Sequence, residues 1–303
     1  MAGSDRTVKS AARVLDLLEI LGRQSEGMTF GMLQTAMSIP KSSLHALLEV
    51  VTSRGYVDLA EDTRLYTLGI KIWESSQAYL HQHDIVREAR VIMERIAAAL
   101  NETVQLSRLD GIENVYLAKA DSTHPLRLQS EVGARLLAHG TGLGKALLAG
   151  LPAREVEHRF RGAALPRMTA NTITEWPDLV DELALTRARG FGIDNEEYTP
   201  GLFCLAVTIR DNRNEPTIAM SVSVPVLRAT LARLTQALSL LAAGSLEIAA
   251  RAGGTQPDPL LAELSSPRNA EQALLALAAS KRYPLSFSLA REKAVRRPAS
   301  RPT

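Results

Sequence analysis

The stretch Ile39-Pro40-Lys41-Ser42-Ser43-Leu44-His45-Ala46-Leu47-Leu48 reads as a turn feeding a short helix with two unlike faces. Pro40 marks the boundary, and Leu44, Leu47, Leu48 and Val51 follow the i, i+3, i+4, i+7 spacing of one buried stripe. Ser42 or Ser43 is the expected N-cap and Gly55 the expected stop. The other side carries Lys41, Ser42, Ser43, His45 and Glu49. Lysine and serine suit phosphate oxygens, and serine or histidine reaches base edges in a major groove. A solvated helix face carries the same residue types, so this pattern alone leaves both readings open.

Toward the N-terminus, Val8, Ala11, Val14, Leu15, Leu18 and Leu21 share one side of a helix over 8–21, with Gly22 at its end. Thr29 caps a second, over 30–37, through Phe30, Leu33 and Met37. Beyond Gly55, Tyr56–Leu59 and Arg64–Leu68 read as two short strands joined by Ala60-Glu61-Asp62-Thr63. Three short helices and then a β-ribbon is the order of a winged helix-turn-helix. Arg54 and Arg64 flank the ribbon as candidate phosphate contacts. A connecting helix over 70–83 follows, then a longer one from Asp84, its expected cap, to about Leu100.

From residue 103 the period changes to two. Val104, Leu106 and Arg108 alternate with Thr103, Gln105 and Ser107, and Asp110-Gly111 reverses the chain into Asn114–Ala120. A third strand is expected over Leu126–Val132, and a helix from Gly140–Gly144 to Ala149. Another helix spans Thr174–Arg189, stopped by Gly190. Phe203–Arg210 and Pro216–Val224 form a second hairpin, and a long helix runs from about Leu227 to Ala252. After Gly253-Gly254 the composition shifts. Ser266-Pro267-Arg268-Asn269 precedes a helix over Ala270–Ser280, and the Arg/Pro/Ser-rich end, 290–303, reads as disordered.

An apolar fraction of 46% with 22% charged residues is that of a folded globular chain. No run reaches the 18 apolar residues of a membrane span, and the first residues lack the layout of a secretory signal. A single cysteine, Cys204, excludes an intramolecular disulfide and a cysteine-cluster zinc site. Together these point to the cytoplasm, with no cofactor and no metal. Charge is unevenly spread: residues 1–70 hold 7 Lys/Arg and 8 Asp/Glu, 71–253 hold 20 and 21, and 254–303 hold 8 and 4. The N-terminal unit is therefore not basic, and one copy should bind nucleic acid poorly.

Gly140–Lys145 invites a nucleotide reading that fails on spacing. A Walker loop needs glycine six residues before its lysine and Ser/Thr after it, where this chain has His139 and Ala146; a dinucleotide fingerprint from Gly140 needs glycine at Lys145. The bland reading is a turn that lets a helix begin close to a strand. The functional one is a helix start from Thr141 whose first N–H groups favour a carboxylate, with Gly140, Thr141 and Leu143 around it. In the second hairpin, Cys204, Ala206 and Thr208 share one face of their strand, and Ala219, Ser221 and Ser223 one face of theirs. Such faces are either solvent-exposed or roofed into a pocket; they carry no Lys, Glu or Arg, which favours the pocket. Asp194, Glu196 and Glu197 form a carboxylate cluster read as loop-organising, with Asp194 able to meet a ligand. A cysteine hydrolase of Cys204, His139 and Asp194 is the competing enzyme reading, weakened because Cys204 lies mid-strand.

Across roughly residues 6–252 the chain resembles the IclR-type bacterial transcriptional regulators. The resemblance is carried by Thr7-Val8 with Ala11–Leu15, by Ile39–Ser43 with His45 and Leu47-Leu48, and by Arg54-Gly55-Tyr56. It continues through Gly133, Ala138–Ala149, Arg189–Gly201, Cys204 and Ala219–Pro225. It implies an α+β protein: an N-terminal winged helix-turn-helix, a linker helix and a C-terminal GAF-like domain with an antiparallel sheet flanked by helices. The expected domains are 6–69, the linker 70–83, the effector domain 84–253 and a C-terminal extension 254–303. The resemblance further implies a homodimer, or dimer of dimers, on double-stranded operator DNA. The expected function is a regulator, a repressor rather than an activator, of a catabolic operon, controlled by a small organic acid. It places the effector at Cys204, Ser221 and Ser223. The position after His45, commonly arginine in the family, is Ala46 here, which removes one cation. The alternative is an effector-binding signalling module without a DNA function.

Overall fold

A computed structural model of the chain describes residues 8–82, 84–125 and 131–280 and divides into two compact units, 1–83 and 84–303. In the first, α1 (Lys9–Gly22), α2 (Phe30–Met37) and α3 (Lys41–Ser53) precede β1 (Val57–Leu59), β2 (Tyr66–Leu68) and α4 (Ile70–Gln82). Leu17, Leu21, Leu33, Leu44, Leu48, Val51 and Val57 close its core, so the stripe read from α3 is the buried one. The Thr29 hydroxyl accepts from the Met32 N–H at 3.4 Å and caps α2 as expected. The cap of α3 is different: it is Pro40, not a serine. The proline ring holds φ at −57° and the chain is extended there, so the helix begins two or three residues earlier and the serines fall inside its first turn. The ribbon is shorter than expected. Arg64 sits in the turn with φ +56° instead of in a strand, and pairing runs only from Val57↔Leu68 to Leu59↔Tyr66.

The second unit holds α5 (Asp84–Leu100), β3 (Thr103–Asp110), β4 (Glu113–Ala120), β5 (Arg135–Leu137), α6 (Gly142–Gly150), α7 (Ala153–Phe160) and α8 (Trp176–Arg189). It continues with β6 (Gly192–Asn195), β7 (Leu202–Arg210), β8 (Pro216–Pro225), α9 (Leu231–Arg251), α10 (Pro259–Leu264) and α11 (Pro267–Ala278). The strands form one antiparallel sheet in the order β5-β4-β3-β8-β7-β6. Both sequence-read hairpins lie inside it. The apolar side of their alternation packs on α5 and α9, where a Cβ on Gly244 would stand 2.9 Å from Ile92 and Ile96 and 3.3 Å from Met220. The small-residue side packs under α6 through Leu143, Ala146, Leu147, Ala206 and Ala219.

Four boundaries differ from the sequence reading. Of the strand expected over 126–132, residues 126–130 lie outside the described residues, and the strand that pairs with β4 is Arg135–Leu137, joined by Val115↔Arg135. α8 begins at Trp176, because Thr174 instead accepts from Arg167 at 3.3 Å. α9 begins at Leu231: Pro225 leads into a 3₁₀ turn over Val226–Arg228, and the Thr230 hydroxyl caps the helix through the Arg233 N–H. In the extension, α11 starts at Pro267, a good first helical residue. Asp258 caps α10 and pairs with Arg210 of β7 at 3.0 Å. Leu261, Leu264, Ala270, Leu274 and Leu277 are buried where α10 and α11 meet α9. The end read as disordered, 290–303, lies outside the described residues. Among the described residues no helix is long and apolar enough to cross a membrane.

Candidate functional site

In the first unit the core-facing leucines of α3 turn its polar residues outward. Lys41, Ser42 and His45 are exposed and Ser43 is half-buried, all within the first five residues of α3. Arg54 follows the last turn of the same helix, and Arg64 stands exposed on the turn of the ribbon. The unit thus presents a helix start, a helix end and a wing, each with one cation. Glu49, Glu61 and Asp62 are exposed alongside them. Such a face offers a few placed contacts in place of a broad positive field.

In the second unit, a cavity of about 590 Å³ opens between the sheet and α6. That volume is in the range of small-molecule sites. The register explains its floor: Cys204 pairs with Ser223, Ala206 with Ser221, and Ser221 with Gln105, so the small polar faces of β7, β8 and β3 are one face. Of the residues singled out from sequence, Thr141, Leu143, Asp194, Cys204 and Ser221 line the cavity. Gly140 and Ser223 do not. Gly140 precedes α6 with its Cα turned to Met168 and Tyr198. Ser223 lies behind the wall, donating to Gln105 Oε1 at 3.1 Å and touching Cys204 Sγ at 3.2 Å. Gln105, Tyr116, Lys119 and Tyr198 also line it and were not anticipated. Tyr116 and Lys119 both reach the cavity because the β3–β4 register shifts between Leu106 and Ser107; strict alternation would put them on opposite faces.

α6 starts against the sheet only because its neighbours lack side chains. A Cβ on Gly192 would stand 2.3 Å from the Gly142 carbonyl oxygen, and one on Gly144 would stand 2.2 Å from that of Ala138. The close-packing reading of the glycines therefore holds. Thr141 is the N-cap: its hydroxyl accepts from the Gly144 N–H at 3.0 Å and donates to Asn114 Oδ1 at 2.8 Å, while its carbonyl accepts from the Lys145 N–H. The N–H groups of Gly142 and Leu143, both on cavity-lining residues, are left without a partner among the described residues. Paired donors at the positive end of a helix attract an anion.

Behind the wall lies a buried charge network. Lys145, fully buried, donates to Glu197 Oε1 at 2.5 Å and lies 4.0 Å from Glu182, which pairs with Arg189 at 2.5 Å. Glu197 Oε2 has no partner among the described residues. Burial pushes the Glu197 carboxyl up, against the pull of Lys145. Asp194 Oδ1 accepts from the N–H groups of Glu197 and Tyr198 at 2.7 and 3.3 Å, and Glu196 Oε2 accepts from the Gly201 N–H at 2.6 Å. The carboxylate cluster therefore organises its loop, as read from sequence. Burial, and after it the nearby Glu197 charge, raises the Asp194 carboxyl to about 7.

No hydrogen bond joins Cys204, His139 and Asp194 among the described residues; His139 Nε2 meets the Pro166 carbonyl instead, at 3.1 Å. Burial raises the Cys204 thiol, the reverse of what a nucleophile needs. Among the described residues no group of three His, Cys, Asp or Glu is placed to hold a metal ion.

Known proteins share this fold. Residues 10–59 match the IclR helix-turn-helix domain, and residues 77–250 the bacterial transcriptional regulator IclR C-terminal domain. The HTH-type transcriptional regulator KdgR of Escherichia coli strain K12 is 32% identical over 248 residues, 82% of this chain and 94% of that protein. The crystal structure of the Thermotoga maritima IclR superposes with a TM-score of 0.68 at 25% identity, covering 81% of this chain and 99% of that one. An IclR homolog from Microbacterium hydrocarbonoxydans, crystallised in complex with 4-hydroxybenzoate, shares the fold with a TM-score of 0.72 at 23% identity, over 80% of this chain and 98% of that one.

Proposed function

Because this chain belongs to the IclR family of bacterial transcriptional regulators, with a DNA-binding helix-turn-helix domain and a ligand-binding C-terminal domain and no enzymatic role, we propose that it is a repressor of a catabolic operon, controlled by a small organic acid. The observation that carries the ligand class is the pair of uncommitted N–H groups of Gly142 and Leu143 opening into the 590 Å³ cavity. The 4-hydroxybenzoate complex of the Microbacterium relative supports it by analogy.

Gly140, Thr141, Leu143, Asp194, Cys204, Ser221 and Ser223 are assigned to the effector site, Gly140 and Ser223 as its supports. Lys41, Ser42, Ser43, His45, Arg54 and Arg64 are assigned to DNA. The protein acts as a homodimer, or dimer of dimers, because a single N-terminal unit of net negative charge binds DNA poorly. The exposed apolar side chains of Val8, the N-cap of α1, of Leu15 on α1, and of Ile70 and Trp73 on α4 supply material for such pairing. The domains are 6–69, the linker 70–83, 84–253 and the extension 254–303. The test is a mobility-shift titration on the DNA upstream of its own operon, at moderate salt and with competitor. Specific retention supports the reading, and none overturns it. A thermal-shift screen of small acids identifies the ligand class, since a ligand at 100 times its Kd adds about 2.7 kcal/mol.

A further inference from the structure

An organic acid entering this cavity meets a carboxyl group of the protein. Asp194 is buried and lines the cavity. Its Oδ1 is committed to two backbone N–H groups, whereas Oδ2 has no hydrogen-bond partner among the described residues. Gly142 and Leu143, which carry the uncommitted N–H groups of α6, line the same cavity, and the start of α6 packs on the Asp194 backbone: a Cβ on Gly142 would stand 3.3 Å from its nitrogen. A ligand carboxylate drawn to those donors therefore arrives beside Asp194. Asp194 is buried, and a ligand carboxylate beside it disfavours its charged form further.

We propose that the cavity takes its organic acid together with one proton from solvent, and that Asp194 Oδ2 carries this proton and donates it to the ligand carboxylate. The inference rests on the organic-acid reading above and adds the protonation state and charge of the ligand to it. The groups facing Asp194 leave the proton as the main compensation. From α6 comes Lys145, already committed to Glu197 and near Glu182 of α8. The loop after β6 brings Glu197 and Tyr198, β7 brings Cys204, and β4 brings Tyr116. At the lining, Lys119 is paired with Asp121 at 3.2 Å, and Glu131 adds a further negative charge. Burial, and after it the Glu197 charge, already holds the Asp194 carboxyl above the usual carboxylate range. Among the described residues Lys119 is the cation at the lining, and it is shared with Asp121.

The test is calorimetric titration of the full chain with pyruvate, lactate, gluconate, benzoate, 4-hydroxybenzoate and succinate, at pH 6 and pH 8.5 and in two buffers of different ionisation enthalpy. The carboxyl groups of the monocarboxylic acids are ionised throughout that range, so a change in their carboxyl protonation belongs to the protein; succinate, whose second carboxyl titrates just below pH 6, is compared at pH 8.5. For an acid that binds, the expected result is uptake of nearly one proton at pH 8.5 and a Kd that weakens by up to about tenfold per pH unit above 7.5. Asp194→Asn, which cannot titrate, loses the pH dependence and the proton uptake. Equal affinity at pH 6 and 8.5 without proton uptake in the wild-type protein overturns the proposal, independently of how the variant folds. If none of the acids binds even at pH 6, the organic-acid reading itself fails.

Discussion

Lys145→Met tests the buried charge network behind the cavity. Lys145 and Glu197 are almost fully buried and 2.5 Å apart, and Glu197 already has one oxygen without a partner among the described residues. Removing the ammonium leaves Glu197 with one N–H donor at 3.3 Å, that of Asn195. Glu182 keeps Arg189. Breaking one side of a buried pair costs about 3–5 kcal/mol. For a unit of this size that lowers Tm by roughly 6–20 °C. The loss is pH-dependent with a defined sign. Without Lys145 the folded-state Glu197 pKa rises further above its unfolded value. The folded state then holds a proton that the unfolded state has lost, so the variant loses stability as pH rises, by up to about 1.4 kcal/mol per unit. Urea melts at pH 6 and pH 8 should show a larger deficit at pH 8. Lys145→Met with Glu197→Gln should recover most of it, since no buried charge is left unpaired. A single variant within 1 kcal/mol of wild type at pH 8, or equally destabilised at both pH values, refutes the network as drawn.

Thr141→Ala removes the cap of α6 and strands Asn114 Oδ1, and should cost about 1–2 kcal/mol in a denaturant melt. Leu274→Ala, a fully buried side chain of α11, should cost about 2–5 kcal/mol; no loss would mean that the extension does not hold to α9. Lys41→Ala should weaken operator binding and flatten log K against log salt by about one, measured by anisotropy; an unchanged slope removes Lys41 from the phosphate contacts.

The fold was legible where periodicity and turn chemistry agree. The stripe of α3, the cap Thr29, the stop Gly190 and the two hairpins of the second unit follow from side-chain spacing alone, since each face has one place to go. β6 was not read as a strand: Gly-Ile-Asp-Asn is four residues long and holds one apolar side chain. α7 escaped because Ala-Arg-Glu-Val-Glu-His-Arg-Phe is mostly charged and buries only Val156 and Phe160. Half of the cavity wall was visible as small polar faces. The signal for Gln105 was available as well, one more polar residue on the buried side of an alternating strand. Tyr116 was hidden by a bulge, which local sequence does not announce. Lys145 was hidden by its type, since a lysine among small residues in Gly-Leu-Gly-Lys-Ala reads as solvated until its partners 37 and 52 residues further along the chain are brought to it.

The central claim is that occupancy of the cavity controls binding of DNA. Its most direct measurement is operator affinity by anisotropy, with and without the acid found by the thermal-shift screen, for the wild-type protein and Ser221→Leu. Wild-type affinity should change by about 5- to 150-fold on adding the acid, a coupling of 1–3 kcal/mol. Ser221→Leu, which fills the cavity floor, should bind the operator as the wild type does and show no change with the acid. A full response in Ser221→Leu, or none in the wild type under saturating acid, would contradict the account.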